Sequence, residues 1–169
     1  MADTLELYHH GSSVCAAKVR FYLAEKGLIW DGHYIDILAG EQFAPEYLKL
    51  NPKAVVPTLV YGGIVIRGSS IICEYLDDVF PENQMRPADP VIRAEVRYWT
   101  KAVDEELHPA CGAVTFMASH RHTIGRLGPE GVRKFLESTP PFSVTADWHE
   151  QKKAYVRDGF NAPGARGKV

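Results

Sequence analysis

A proline at the start of a predicted strand constrains this chain more than any other single residue. The segment from Asn51 to Val60 reads NPKAVVPTLV, with a turn dipeptide first and a β-rich apolar run last. Proline cannot donate a ladder hydrogen bond, so Pro57 belongs at the first residue or the edge of a strand. The preceding Val56 is then extended and unpaired, and it offers an edge on which an extended peptide can dock. A plain loop-to-strand junction is the alternative, and the pattern does not decide the isomer of the Val56–Pro57 bond.

A strand-to-helix turn near the N-terminus carries polar candidates. Leu5–Tyr8 alternates as a short strand, and helical spacing then predicts a helix that Gly27 ends. Free amide groups and the positive dipole end of this helix favour an anion in the turn. The polar groups there belong to Ser12, Ser13 and Cys15. N-capping explains each serine equally well, and burial as a small apolar residue explains Cys15.

A hairpin and a helix follow a second predicted strand. His33–Leu38 is predicted to be a strand, and the two glycines within Tyr61–Ile64 predict a hairpin turn. Gly68-Ser69-Ser70 opens a helix whose N-terminus can hold a carboxylate, with simple capping by Ser69 as the alternative. Residues 1–80 therefore read βαβα followed by ββα, which is a thioredoxin-like order with a parallel crossover in its first half.

Four motifs in this region resemble the N-terminal domain of cytosolic glutathione transferases. They are SVCAAKVR from Ser13, AEKG from Ala24, the pair NP and VPTL from Asn51 and Val56, and SSIICEYL from Ser69. They keep the family's order and about its spacing, over about half of the chain. The resemblance implies an α/β thioredoxin-like, glutathione-binding domain at residues 1–80, a linker at 81–90, and an all-α domain at 91–169 that looks truncated.

The resemblance also assigns roles to single residues. Ser13 lies six residues before Val19, where serine- and cysteine-type members carry the group that faces the glutathione sulfur. Val56, before the family's cis-proline at Pro57, is expected to pair with the cysteinyl backbone of glutathione, and Ser69 to hold the γ-glutamyl carboxylate. Lys53 and His10 are weaker candidates near the glycine carboxylate and the sulfur, and Ser12 and Cys15 are secondary candidates.

Two binding positions depart from the family. Members usually carry an acidic residue before the position of Ser69, where this chain has Gly68, and many carry a polar residue where it has Val55. Both departures weaken the expected hold on glutathione. Asp104 or Glu105 lies about as far past Ser69 as the acidic residue that some members reach across a dimer, and either is a candidate to compensate for Gly68.

The implied function is a glutathione transferase that joins glutathione thiolate to a small hydrophobic electrophile. A homodimer, a role in detoxification, glutathione as co-substrate and no metal are part of that expectation. The alternatives are a glutathione-dependent ether-cleaving enzyme and a non-catalytic or chaperone-like relative. A thiol-disulfide oxidoreductase is a further option, but the chain lacks the CxxC that a dithiol mechanism needs.

The composition of the chain indicates its compartment and argues against some classes of partner. The three cysteines are far apart and odd in number, which indicates a reducing compartment such as the cytoplasm. The net charge of −2 gives no electrostatic case for nucleic acid or an anionic membrane, and no apolar run has transmembrane or signal-peptide character.

The second half of the chain has helical spacing. Five apolar residues there recur at the spacing of a helix face: Ile92, Val96, Trp99, Val103 and Leu107. His120 and His122 are predicted to be surface residues rather than metal ligands, since alternate residues on a helix do not face one another. Residues 157–169, with three glycines and a proline, are predicted to be a linker or tail.

Overall fold

The computed structural model describes residues 4–138 and 143–167. The chain forms two compact units that interleave in sequence. The sheet unit comprises Met1–Ile35 and Val55–Lys101, and the helical unit comprises Asp36–Ala54 and Ala102–Val169. The domain boundaries at residues 80 and 90 stay a prediction. The two units are not consecutive in sequence, because Asp36–Ala54 belongs to the helical unit.

The sheet unit is built on four strands. They are β1 (Leu5–His9), β2 (Trp30–Tyr34), β3 (Thr58–Tyr61) and β4 (Ile64–Arg67), in the order β2-β1-β3-β4. β1 pairs with β2 in parallel, and with β3 antiparallel, while β3 and β4 form the predicted hairpin. This mixed sheet confirms the thioredoxin-like architecture.

The first two helices lie between strands, and the other helices follow β4. They are α1 (Val14–Glu25), α2 (Pro45–Leu50), α3 (Ser69–Val79), α4 (Pro90–Ala102), α5 (His108–Thr115), α6 (Arg121–Gly125), α7 (Gly128–Glu137) and α8 (Ser143–Asp158). Short π-helical segments, Val103–Leu107 and Phe116–His120, join α4 to α5 and α5 to α6. Single 3₁₀ turns cover Glu41–Phe43, Gly159–Asn161 and Ala165–Gly167.

Each unit has its own core. In the sheet unit, fully buried side chains from β1, β3, α1 and α3 meet, and they include Leu7, Val19, Leu23, Leu59 and Ile72. The core of the helical unit gathers Leu38, Ala113, Phe116, Met117, Ile124 and Tyr155. Because Leu38 comes from the segment between β2 and β3, the helical unit depends on a part of the chain that precedes most of its helices.

The predicted strand His33–Leu38 is wrong in its boundaries. β2 ends at Tyr34, and the next residues form a polar turn instead. The Asp36 carboxylate accepts hydrogen bonds from the amides of Leu38 (2.9 Å) and Ala39 (3.0 Å). Aspartate side chains compete in this way with sheet hydrogen bonding, and alternation of apolar residues does not reveal it.

Two further predictions in the second half are wrong. His120 is buried, and its ring meets the ring of Phe116 edge-on at 4.8 Å between centroids. Residues 157–169 are not a free tail in their described part, because Ala162 and Ala165 are buried in the core of the helical unit. Small apolar residues among the glycines allow this close packing, and a composition-based interpretation overlooks them.

Candidate functional site

The register of the sheet brings three turns to one end of it. Tyr8, near the end of β1, pairs with Thr58 at the start of β3, and Thr58 pairs with Arg67 at the end of β4. The turn after β1, the residues before β3 and the turn after β4 therefore share one edge. These three segments carry Ser13, the Val56–Pro57 pair and Ser69.

Ser13 is the N-cap of α1. Its Oγ accepts a hydrogen bond from the Ala16 amide at 3.2 Å, so the capping alternative is correct for this serine. An N-cap hydroxyl uses an oxygen lone pair and keeps its proton available. Within the described residues of the sheet unit, no acceptor takes the Ser13 hydroxyl proton. Capping and donation to an incoming anion are compatible roles for this one hydroxyl.

Ser12 differs from Ser13 in that both its amide and its hydroxyl contact His10. The Ser12 amide donates to Nδ1 of His10 at 3.2 Å, and the Ser12 hydroxyl lies 2.9 Å from the same nitrogen. An amide can only donate, so Nδ1 is the unprotonated nitrogen and the buried His10 ring carries its proton on Nε2. The Ser12 hydroxyl therefore donates to His10, which leaves Ser13 as the better donor to a ligand.

Arg20, on α1, holds the shape of this turn. Its guanidinium donates to the carbonyl oxygen of His10 at 3.2 Å and to that of Gly11 at 3.3 Å. The same group lies 3.4 Å from Nδ1 of His9. Burial, and after it the charge of Arg20, lowers the pKa of His9. Arg20 was not among the predicted site residues, although it lies in the SVCAAKVR motif.

The Val56–Pro57 bond is cis. Pro57 and Thr58 are buried, whereas Val55 and Val56 are half-buried. Among the described residues of the sheet unit, none forms a hydrogen bond with the Val56 backbone. The N–H and C=O groups of Val56 are therefore available to a bound peptide, as a docking edge requires.

Ser69 is the first residue of α3 and is only 7% exposed. The N-cap of α3 is Gly68, so capping by Ser69 is wrong as an alternative. Within the described part of the chain, the Ser69 side chain forms no hydrogen bond. A buried hydroxyl at a helix N-terminus is suited to a carboxylate.

Gly68 has a structural reason to be glycine. Its φ of 87° lies in the left-handed region, and an added Cβ would come 3.3 Å from Cδ1 of Ile71. An acidic side chain is therefore strained at this position. The left-handed backbone at Gly68 therefore favours glycine over the acidic residue that the family's members usually carry.

A cation that the sequence did not single out lies at the same helix N-terminus. Nζ of Lys18, on α1, donates to Oγ of Ser70 at 2.6 Å. Lys18 adds positive charge where the helix dipole is already positive. No local pattern predicts this contact, because the two residues are 52 positions apart.

The remaining predicted site residues are distributed as follows. Cys15 is half-buried, lies at the second residue of α1 and is not in a disulfide bond. Lys53, Asp104 and Glu105 belong to the helical unit, and their proposed roles toward glutathione stay predictions. Within residues 4–138 and 143–167, no three His, Cys, Asp or Glu side chains are grouped so as to hold a metal ion. None of the helices in these ranges combines the length and the apolarity needed to cross a bilayer.

Comparisons with known proteins agree with this arrangement. A family model for the glutathione S-transferase N-terminal domain matches residues 12–79. Protein LigF of Sphingobium sp. is 47% identical over 104 residues, which cover 60% of this chain and 40% of LigF. Glutathione S-transferase 1 of Dianthus caryophyllus is 46% identical over 90 residues, covering 53% of this chain and 41% of that protein.

A longer match and a solved structure extend the likeness beyond the N-terminal half. A probable maleylacetoacetate isomerase of Caenorhabditis elegans is 35% identical over 152 residues, covering 90% of this chain and 71% of that protein. The crystal structure of beta-etherase LigF from Sphingobium sp. has a TM-score of 0.81 at 33% identity, covering 98% of this chain and 69% of LigF. In sequence, the chain spans about two fifths of the LigF and Dianthus proteins. The chain belongs to the cytosolic glutathione S-transferase family.

Proposed function

We propose that this chain is a glutathione transferase in which Ser13 stabilises the thiolate of bound glutathione. The observation that carries the proposal is the Ser13 hydroxyl, which caps α1 through its oxygen and has no acceptor for its proton among the described residues of the sheet unit. The thiolate is the nucleophile in such reactions, and it is activated by hydrogen bonds and by a helix N-terminus.

The free energy that the chemistry requires is modest. A free thiol with a pKa of about 8.5 is mostly protonated at neutral pH, and each unit of lowering corresponds to about 1.36 kcal/mol of thiolate stabilisation. One hydrogen bond to a charged sulfur and one helix dipole supply about one to two such units. The hydroxyl of Ser13 and the N-terminus of α1 are therefore sufficient without a stronger base.

The rest of glutathione has complementary partners at the same end of the sheet. The unpaired Val56 backbone is available for the cysteinyl amide and carbonyl groups. Ser69, the α3 N-terminus and the nearby Lys18 provide donors and positive charge for the γ-glutamyl carboxylate. Lys53 and, across a dimer, Asp104 or Glu105 are proposed as additional partners.

Substitution of Ser13 by alanine tests the proposal. Ser13→Ala is expected to raise the pKa of bound glutathione by about one unit and to slow conjugation at neutral pH, with partial recovery at high pH. Cys15→Ala is the matched control and is expected to change neither quantity. Thiolate absorbance of the glutathione complex is measured against pH for both variants, with urea unfolding to correct for the lost cap, which costs about 1 kcal/mol.

Either of two results would contradict the assignment. The first is a Ser13→Ala complex that titrates like the parent while Cys15→Ala shifts, which would transfer the role to Cys15. The second is a Ser12→Ala variant that shifts as much as Ser13→Ala, since Ser12 is expected to act only on His10. Absence of glutathione binding in the parent chain would favour the non-catalytic relative instead.

Ether cleavage is the second candidate function, and the similarity to LigF favours it. The match to LigF is 47% over 104 residues, and the solved structure that aligns is described as a beta-etherase. In an ether cleavage of this kind the thiolate would form a C–S bond at the ether carbon, while the C–O bond breaks and the oxygen leaves as an alkoxide or aryloxide. Parallel assays with a β-aryl ether ketone and with a chloronitroarene distinguish the two substrate classes.

We also propose a homodimer in the cytoplasm with a role in detoxification. The observation that supports self-association is α4, where Ile92, Val96 and Trp99 share a helical face and are 51%, 43% and 67% exposed. Two-fold pairs are the commonest oligomers, and exposed apolar faces mark interfaces. Light scattering at micromolar concentration is expected to give two chain masses, and Trp99→Glu is expected to reduce this to one.

A further inference from the structure

Lys152, on α8 of the helical unit, is half-buried and lies against two aromatic rings. Its Nζ lies 4.8 Å from the ring centroid of Trp148 and 5.3 Å from that of Phe116. The indole ring of Trp148 packs closely against Gly112, because a Cβ on this glycine would come 3.0 Å from the edge of the ring. The aromatic faces attract the ammonium group but accept no conventional hydrogen bond from it.

No carboxylate neutralises this ammonium group within residues 4–138 and 143–167. Two acidic side chains of α8 pair with other cations. Glu150 accepts from Lys153 at 2.7 Å, and Asp158 accepts from Arg157 at 2.9 Å. Charges with limited access to water are normally paired, so a half-buried lysine that lacks a counter-ion is a candidate to bind an anion.

A second polar group nearby lacks a partner. His149 lies three residues before Lys152 on the same helix, is 5% exposed, and packs edge-on against Phe43 at 5.3 Å between ring centroids. Its Nε2 is buried without a hydrogen bond from any described residue. Burial, and then the charges of Lys152 and Lys153, lower the pKa of His149 to about 4, so the ring is neutral at neutral pH. His149 therefore carries no charge that could oppose or repel that of Lys152 at neutral pH.

We propose that Lys152, framed by Phe116 and Trp148, binds the anionic group of an aromatic carboxylate or phenolate. A single ammonium group matches a monoanion in charge, whereas a phosphate would bring more charge and a stronger demand for hydrogen-bond donors than these residues provide. The two rings offer an apolar surface for the body of the ligand. Binding would supply the missing counter-ion and would remove the cost of an unpaired charge.

Calorimetric titration with 1-naphthoate and its neutral isostere 1-naphthamide tests the proposal. The parent chain is expected to bind the naphthoate at least tenfold more tightly than the amide, in buffer without glutathione. Lys152→Met keeps the length of the side chain and is expected to abolish that preference. Lys153→Met, which removes the adjacent and already paired ammonium, is the matched control and is expected to retain it.

Trp148 allows the site to be located independently. In a Trp30→Phe, Trp99→Phe variant, all tryptophan emission comes from Trp148, because the chain has three tryptophans. Naphthoate is expected to quench this emission with the same affinity that calorimetry gives. Quenching that survives Lys152→Met at unchanged affinity would place the ligand elsewhere.

Three results would overturn the inference. They are equal affinity of the parent for both probes, a preference retained in Lys152→Met, and an equal loss of preference in Lys153→Met, which would indicate a general positive field. The site does not depend on the proposed thiolate chemistry. Glutathione affinity is measured in parallel, and its presence or absence separates a failure of this proposal from a failure of the transferase assignment.

Discussion

Lys26 of the sheet unit and Lys152 of the helical unit show two environments for a lysine, one fully buried and one half-buried. Nζ of Lys26 donates to Oδ1 of Asp77 at 2.7 Å, and both side chains are completely buried. It also reaches the carbonyl oxygens of Glu82 and Asn83, at 3.4 and 3.2 Å. The ammonium group of Lys26 therefore has hydrogen-bond acceptors in several directions.

Asp77 is equally well supplied with donors. The amides of Met85 and Arg86 donate to its two carboxylate oxygens at 3.2 and 2.7 Å. Burial by itself would raise the pKa of Asp77, but the hydrogen bonds from Lys26, Tyr22 and these amides outweigh it and hold the pKa below its usual value. This ion pair joins α1 to α3 and to the loop after α3.

Lys152 has none of these partners, and burial lowers its pKa to about 8. The comparison separates two costs: removing one partner of a buried, hydrogen-bonded pair is strongly destabilising, whereas a charge without a partner lowers stability as it stands. In the sheet unit the lysine is part of the fold. In the helical unit the lysine is expected to lower stability, and binding of an anion accounts for its presence.

The largest effect is expected from breaking the satisfied pair. Lys26→Met leaves Asp77 buried without its cation and is expected to lower the free energy of unfolding by about 3–5 kcal/mol, as for other buried pairs that lose one partner. Urea unfolding at neutral pH measures the change. Lys49→Met, which removes a solvent-exposed lysine paired with Glu46, is the control and is expected to have no measurable effect. A loss as small as in the control would mean that the two lysine environments do not differ as described.

An intermediate effect is expected in acid, from His149. Its folded pKa of about 4 lies below the usual 6.5, so the unfolded chain binds more protons between these values. The contribution of His149 is fully present above pH 6.5 and is lost as the pH falls toward 4, by about 1–3 kcal/mol in total. His149→Phe is expected to flatten this part of the curve of unfolding free energy against pH. The exposed His122→Asn should leave the curve unchanged, and an equal flattening in both variants would refute the assignment.

The smallest effect has the opposite sign to the first. Lys152→Met is expected to raise the free energy of unfolding by about 1–2 kcal/mol at pH 7, because it removes an unpaired charge and keeps the packing. With a folded pKa of about 8, the parent recovers stability as the pH rises from 8 to 10.5, and the gap between parent and variant closes. Urea unfolding at pH 7 and pH 10 measures both values. A destabilised variant at pH 7 would show that the rings compensate fully for the missing counter-ion.

Local signals in the sequence predicted the parts of the fold that depend on neighbouring residues. Pro57 marked the start of β3, the glycines at 62 and 63 marked the hairpin, and Pro45 marked the start of α2. Capping by Ser13 was predicted from its position just before α1, and the structure confirms it. Each of these features acts within a few residues of its own position, so a single sequence is sufficient to recognise it.

Long-range contacts were not predictable in the same way. The Lys26–Asp77 pair joins residues 51 positions apart, and Lys18 reaches Ser70 over 52 positions. Nothing in the local sequence distinguishes these four residues from ordinary surface residues. The aromatic frame of Lys152 likewise depends on Phe116, which lies on another helical segment. Charge and spacing indicate which residues can interact, but only the fold decides which of them meet.

The interleaving of the two units has a consequence for protein engineering. Leu38 and the short helix α2 lie between β2 and β3 in sequence, yet they belong to the helical unit, where Leu38 joins the core with Phe116 and Met117. In a chimaera joined at residue 80, Leu38 would come from one parent protein, whereas Phe116 and Met117 would come from the other. Exchange of cassettes between relatives should instead move segment 36–54 together with the helices that follow residue 101, so that both halves of that core keep a common origin.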